Sequence, residues 1–320
     1  MPIRVIVTND FDHMSAVAAD LATATLARVH RARREAVLGL ATGNTPTGLY
    51  RLLAKAANAG AFDASRVRTF NLDEYIGLPG DNAKQRTLHP ESYAAFMIRE
   101  FFSLLERTFA ETTVPWGALV DPQRFAAELA HHPSDWTAEG TGTGKSILIS
   151  ATAHSEYLAW IRRDIQQGYE DKISSCGGID LQVIGVGGNG HVGFHEAGIP
   201  FQVSRVLLVR LDDETVRNAV ADGHFATERD CPRYAVSMGA ELVFEARSVL
   251  LLANGERKRV PLARSLLEGV SADVPLSYGQ RYAENGGSLV CVADAVAGAD
   301  LVASRSALAA KGIELEDLRG

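Results

Sequence analysis

Short apolar runs alternate with stretches of helical periodicity along most of the chain, and that alternation limits the fold more than any other feature. Residues 3–8, 36–40, 67–72, 183–186, 206–211, 234–238, 248–253 and 288–293 read as strands. Helical spacing of apolar residues marks 16–33, where Ala18, Leu21, Ala22, Leu26 and Val29 share a face and Asp12 or Ser15 serves as cap. Helices are also expected over 47–59, 90–105, 156–167 and 258–267. Strands and helices in this order predict an α/β fold. The expected form is an open, mostly parallel, twisted sheet with helices on both faces, Rossmann-like and joined by right-handed crossovers. A chain of 320 residues, 46% hydrophobic, is enough for one large domain over 1–320. Residues 131–155 break the pattern and are expected to be a loop insertion, with one short strand at 147–149. The charged tail, 311–320, is expected to pack loosely.

The net charge is −7 and no basic stripe occurs, so no nucleic-acid partner is expected. No apolar stretch approaches a membrane span, and the first residues read as a strand rather than a signal peptide. The chain is therefore expected to be soluble and cytoplasmic, with no membrane partner. Cys176, Cys231 and Cys291 are odd in number and far apart, a pattern that fits neither a disulfide framework nor a metal cluster. Glu139-Gly-Thr-Gly-Thr-Gly-Lys-Ser146 imitates a phosphate loop, but that motif needs glycine where Glu139 stands.

Three segments carry the candidate chemistry. In the first, strand 36–40 runs into Ala41-Thr-Gly-Asn-Thr-Pro46 and then a helix. Thr42, Gly43, Asn44 and Thr45 thus lie at a helix N-terminus, whose free N–H groups and partial positive charge suit a phosphate. The second is Phe70-Asn-Leu-Asp-Glu-Tyr75, with Asp73 and Glu74 at the C-terminal end of a strand, where a general base belongs. If the strand is continuous, Asn71 and Asp73 face one way and Leu72 and Glu74 the other. The third has strand 183–186 emptying into Gly185, Gly187, Gly188 and Gly190, followed by His191 and Glu196. Histidine suits proton transfer near neutral pH. A carboxylate folded back onto its ring fixes the tautomer and stabilises the imidazolium.

Together these segments resemble the glucosamine-6-phosphate deaminase family. The family's Leu-Gly-Leu-Pro-Thr-Gly-Gly-Thr-Pro is matched by Leu38-Gly-Leu-Ala-Thr-Gly-Asn-Thr-Pro46. Its Phe-Asn-Met-Asp-Glu-Tyr-Val-Gly-Leu and His-Pro-Glu-Ser-Tyr are matched by Phe70-Asn-Leu-Asp-Glu-Tyr-Ile-Gly-Leu78 and His89-Pro-Glu-Ser-Tyr93. Its Gly-His-Ile-x-Phe-Asn-Glu-Pro is matched by Gly190-His-Val-Gly-Phe-His-Glu-Ala197. The resemblance implies that Asp73 moves a proton between C2 and C1 of an open-chain sugar, that His191 opens the ring, and that Glu196 orients His191. Asn189 bonds His191 where many members have aspartate, and Gly190 and Glu74 are secondary candidates. The 42–45 turn holds the phosphate, and Lys258 of Gly255-Glu-Arg-Lys258 contacts it. The partner is a small sugar phosphate, with no metal and no organic cofactor. The implied reaction converts glucosamine 6-phosphate and water to fructose 6-phosphate and ammonia. Some members clasp the phosphate with an arginine, and here Arg217 or His224 are the residues in the comparable region. His195 and Ala197 depart from the family's asparagine and proline. Members range from single chains to hexamers, so a homo-oligomer is one expectation.

Three other functions share parts of this pattern. A 6-phosphogluconolactonase has the Gly-His element but typically continues Ala-Ser-Leu-Phe, unlike Val192-Gly-Phe-His-Glu196. A deaminase of galactosamine 6-phosphate differs by one hydroxyl that no motif here reads. A non-catalytic sugar-phosphate sensor would carry a DNA-binding segment, and no basic helix-turn-helix is evident at either end.

Overall fold

In the computed structural model, which describes residues 3–32 and 35–320, each expected strand has a counterpart. The first part runs β1 (Arg4–Val7), α1 (Phe11–Ala32), β2 (Ala36–Leu40), α2 (Thr47–Asn58), β3 (Val67–Asn71), β4 (Asp73–Ile76), α3 (Ala83–Thr87), α4 (Tyr93–Glu100), β5 (Glu111–Thr113) and α5 (Pro122–His131). Next come β6 (Trp136–Glu139) and β7 (Lys145–Ile149), then a helix built from α6 (Glu156–Trp160), a π-helical stretch Ile161–Gln167 and α7 (Gly168–Ser175). β8 (Leu181–Ile184), β9 (Val206–Arg210), α8 (Asp213–Ala221), β10 (Tyr234–Met238), α9 (Ala240–Val243), β11 (Ser248–Ala253) and α10 (Glu256–Leu267) follow. The chain closes with α11 (Tyr278–Glu284), β12 (Ser288–Ala293), α12 (Ala299–Ala303), α13 (Arg305–Ala310) and β13 (Glu314–Asp317).

The main sheet has eight strands in the order β13-β1-β12-β11-β8-β2-β3-β5, and every pairing in it is parallel. Alternation along each strand divides the core. Leu38, Leu40, Leu181, Val183, Leu250 and Leu252 face α1, α2 and α4. Phe70, Ile184, Val249 and Leu251 face the opposite layer, which contains α7, α10 and a second sheet. That second sheet has order β4-β10-β9-β7-β6 and is antiparallel throughout. Val206 and Leu208 of β9 join the shared core, whereas Leu207 and Val209 pack outward with Val216 of α8. A strand buried on both faces reads as a continuous apolar run, so 206–211 gave no sign that it belongs to a separate antiparallel sheet.

Several local expectations are corrected. Helix α1 begins a turn early because Asp10 Oδ1 accepts the His13 N–H at 2.8 Å. Asp12 lies inside its first turn, and Ser15 Oγ donates to the Phe11 carbonyl. The helix expected to end at Arg33 has that residue outside the described range. Helix α4 starts only after Ser92, whose Oγ accepts the Ala95 N–H at 3.0 Å. Segment 131–155, expected as a loop with one strand, carries the β6–β7 hairpin. The tail is not loose, since β13 lies parallel to β1 at the sheet edge. Ile313 is buried, and the Leu318 N–H donates to the Val7 carbonyl at 2.8 Å. The charge that suggested a free end is what protects an edge strand, and Glu316 pairs with Arg4 at 2.5 Å.

From β2 the chain moves outward to β3 and β5, and from β8 it moves the other way to β11 and β12. The neighbouring strands β2 and β8 thus flank the point where the winding reverses. Ligands of such sheets bind in the crevice beyond the carboxyl ends at that point.

Candidate active site

A cavity of about 660 Å³ opens at this crevice. Its wall draws on the C-terminal ends of adjacent strands: Ala41 to Pro46 after β2, Leu72 and Asp73 after β3, Gly185 to Gly188 and His191 after β8, and Asn254 to Lys258 after β11. Thr42, Gly43, Asn44, Thr45, Asp73, His191 and Lys258, all expected from sequence, therefore share one space.

Asp73 sits where the chain leaves one sheet for the other. The Leu72 N–H still bonds to the Leu40 carbonyl at 2.9 Å, while the Leu72 carbonyl accepts from Met238 of the second sheet at 2.7 Å. Asp73 then pairs with Ser237 in the antiparallel ladder. The strand is broken at Leu72, so the alternation expected from Asn71 to Glu74 does not run through it. Asn71 is fully buried and off the cavity wall, whereas Asp73 lines it. Burial raises the Asp73 carboxyl well above the usual carboxylate range. The neighbouring Glu74 charge adds to the rise, and the Thr42 hydroxyl opposes it. A carboxylate in this setting is a stronger base than an exposed one.

Glu74 points elsewhere. Its Oε1 accepts the Tyr75 and Tyr93 N–H groups at 2.9 and 3.1 Å, and its Oε2 accepts Ala94 N–H at 3.1 Å. It anchors the N-terminal turn of α4 and does not line the cavity. Burial lifts its carboxyl to about 7 against those three bonds.

The loop after β8 is folded by its glycines. A Cβ at Gly187 would lie 1.9 Å from His191 Nε2, so the imidazole occupies the space that a side chain would fill. Gly190 has φ +83°, and a Cβ there would come within 2.7 Å of Val274. It is a backbone pivot off the cavity wall. The Gly190 N–H bonds to the Gly187 carbonyl at 3.1 Å and the Gly187 N–H to the His191 carbonyl at 2.9 Å, closing a tight turn. That turn leaves Asn189 off the cavity wall. Its Oδ1 is buried without a partner, and no hydrogen bond joins it to His191 among the described residues. The expected Asn189–His191 bond is thus not formed.

His191 Nδ1 lies 3.3 Å from Glu196 Oε2, close enough for an ion pair but short of hydrogen-bond geometry. Glu196 is fully buried and is itself fixed, with Oε1 accepting the Asp212 N–H at 3.1 Å and Oε2 the Thr215 hydroxyl at 2.9 Å. Behind it stands the β6–β7 hairpin. A Cβ at Gly144 would lie 2.8 Å from Glu196 Cβ. Asp212 Oδ2 accepts the Thr143 hydroxyl and Gly144 N–H at 2.7 and 3.0 Å. The imitation phosphate loop is this hairpin's turn, and Lys145 donates to the Gly140 carbonyl. His195 is structural: Nδ1 accepts the Ala240 N–H and Nε2 donates to the Ile199 carbonyl, both at 3.0 Å. Burial lowers its pKa, in keeping with that neutral tautomer.

The start of α10 is joined to the 42–46 turn by Thr45 Oγ1, which donates to Asn254 Oδ1 at 2.7 Å. The starts of α2 and α10 therefore flank one end of the cavity, with Lys258 beside them. Burial lowers the lysine's pKa, and the Asp222 charge offsets part of that effect. Tyr75, Tyr93 and Phe194 form an aromatic wall. Of the two expected arginine substitutes, His224 lines the cavity, bonded through Nδ1 to Glu91 at 3.0 Å, and Arg217 does not. Sequence reading missed Arg99, Asn218, Asp222, Asn254 and Arg257, all on the wall. Arg257 lies within Gly255-Glu-Arg-Lys258 and Asn254 just before it, Asn218 and Asp222 lie in the stretch that holds Arg217 and His224, and only Arg99 had no candidate motif around it.

No family model matches the chain. Its solved relatives place it in the α/β class that holds both glucosamine-6-phosphate deaminases and 6-phosphogluconolactonases. It resembles a monomeric glucosamine-6-phosphate deaminase with TM-score 0.67 and 26% identity, over 92% of this chain and 98% of that one. It shares only the fold with the 6-phosphogluconolactonase from Trypanosoma cruzi, at TM-score 0.60 and 17% identity over 93% of this chain and 97% of that one. It is 31% identical over 275 residues to the glucosamine-6-phosphate deaminase of Clostridium acetobutylicum, spanning 86% of this chain and 92% of the relative. The corresponding enzyme of Rhodopirellula baltica is 36% identical over 252 residues, spanning 79% and 80%. The chain belongs to the glucosamine-6-phosphate deaminase family.

Proposed function

We infer that the protein converts glucosamine 6-phosphate and water to fructose 6-phosphate and ammonia. The observation that carries this reading is the meeting of Asp73, His191, two helix starts and Lys258 around one cavity, in a chain of this family. The 42–46 turn and Lys258 hold the phosphate. That anchoring turns remote binding energy into positioning of C1 and C2. His191 Nε2 exchanges protons with the ring oxygen and the C1 hydroxyl, opening the pyranose, while Glu196 supports the imidazolium from the other ring nitrogen. Asp73 takes the proton from C2 and returns it to C1. The C2 imine left by that transfer adds water and expels ammonia, leaving the ketose. This route asks nothing of a metal or organic cofactor. Among the described residues no helix is long and apolar enough to cross a membrane. Within this reading the enzyme works in the cytoplasm, as one chain or as a homo-oligomer, with segment 131–155 inserted in a single domain.

A coupled ammonia-release assay over a panel of amino-sugar phosphates tests the reading, with 6-phosphogluconolactone hydrolysis measured alongside. Turnover of glucosamine 6-phosphate is expected, and Asp73→Asn should lower it by roughly 10²–10⁴-fold. Wild type as inert as the variant across the panel would sink the proposal.

A further inference from the structure

A phosphate dianion held by a lysine and two helix starts gains further from any additional cation within reach. The residue before Lys258, Arg257, also lines the cavity, and its guanidinium reaches Asp222 Oδ1 at 2.5 Å. Asp222, just past the end of α8, lines the cavity too. Both members of this ion pair thus border the volume that a substrate would enter. Their position is set by fixed backbone. Asn254 is bonded to Thr45, and the Gly255 N–H donates to Asp294 Oδ2 at 2.9 Å. A phosphate resting on the 42–46 turn would therefore lie beside the first turn of α10.

We propose that Arg257 is a second phosphate-binding cation of this site, and that it exchanges Asp222 for the phosphate when a sugar phosphate binds. The proposal rests on the phosphate-anchoring role given above to the 42–46 turn and Lys258. A guanidinium fork matches two phosphate oxygens at once, and a dianion attracts it more strongly than one carboxylate does. The side chains of the pair are 66% and 30% exposed, so their mutual attraction is screened and the exchange costs little. The other arginine on the wall, Arg99, lies over the Phe96 ring and bonds Glu100, on α4 rather than beside the two helix starts. Arg217 is off the wall.

Calorimetric titration of the intact protein with inorganic phosphate and with glucose 6-phosphate tests the exchange without requiring turnover. Arg257→Ala should weaken both about tenfold or more, and Arg257→Lys should recover part of the loss. Asp222→Asn removes the competing carboxylate and should tighten both about fivefold, with most of that gain missing when Arg257 is also alanine. The proposal is overturned if Arg257→Ala binds like wild type. It also fails if Arg99→Ala loses more, or if the Asp222→Asn gain survives without Arg257. Wild type binding neither anion would remove the phosphate reading as well. Binding through Arg257 without ammonia release from glucosamine 6-phosphate would support the exchange and sink only the deamination reading.

Discussion

Replacing Gly187 with alanine tests whether His191 works from the position in which the fold holds it. The added Cβ would stand 1.9 Å from Nε2, 2.0 Å from Cδ2 and 2.4 Å from Cε1 of the imidazole. Carbon contacts settle near about 3.5 Å, so the ring has to retreat by roughly 1.5 Å. It cannot retreat onto Glu196, which is fully buried and bonded by Asp212 and Thr215. The ring must swing into the cavity, losing its carboxylate and its aim together. A displacement of about 1 Å at a reacting group costs on the order of 10²-fold, or ~2.7 kcal/mol of barrier. Complete loss of the acid–base group sets an upper bound of about 10⁴. The backbone itself accepts alanine, because Gly187 is not among the positive-φ glycines. The cost to folding is therefore the overpacking against the ring alone, about 1–3 kcal/mol at most, which leaves the fold in place. Steady-state ammonia release would be measured for wild type, Gly187→Ala, His191→Ala and the double variant, with thermal melts beside them. The expected result is a drop of two decades or more in kcat for Gly187→Ala, and no further loss when His191 is already gone. A folded Gly187→Ala enzyme with wild-type turnover would refute the reasoning.

Two further outcomes follow from the buried carboxylates. Glu196→Gln keeps the shape but removes the charge that faces Nδ1, so kcat should fall by roughly 10²-fold or more with substrate affinity little altered; equal kcat would show that the 3.3 Å contact is passive. Glu74 titrates near 7 in the native state against an ordinary 4.5, so the native protein binds this proton more tightly than the unfolded chain does. Its contribution to stability is therefore fullest below about pH 4.5 and declines as pH rises to about 7, by up to about 3 kcal/mol. Denaturant melts of wild type and Glu74→Gln between those pH values should show the wild type losing ground as pH rises, and parallel curves would contradict the shift.

Six of the main sheet's eight strands were legible because parallel strands buried on both faces leave uninterrupted apolar runs, and 36–40, 248–253 and 288–293 match β2, β11 and β12 to the residue, whereas the three-residue β5 and the charged β13 leave no such run. That Asp73, His191, Lys258 and the 42–45 turn share one cavity was legible because strand ends in such a sheet converge on one crevice. The second sheet was not, since which strands pair depends on contacts far apart in the chain. β4 joins β10 more than 150 residues later, and nothing local to Tyr75 announces it. Asn189 was misplaced because a motif gives spacing but not the direction of a turn. Arg257 and Asp222 escaped notice because neighbouring charges on a helix start look like ordinary solvated residues until a cavity is found beside them. The tail was misjudged because charge on an edge strand resembles charge on a free end.

Asp73 is itself a rung of a strand ladder, opposite Ser237, with Leu72 bonded to both layers just before it. Fraying of a surface loop cannot carry it away; only the parting of the layers can. If Asp73 has the role proposed for it, the proton carrier endures as long as the scaffold does, while the groups proposed to grip the sugar ride on connections free to vary. Descendants of such a chain can exchange one sugar for another by rewriting those connections, and keep the same acid throughout.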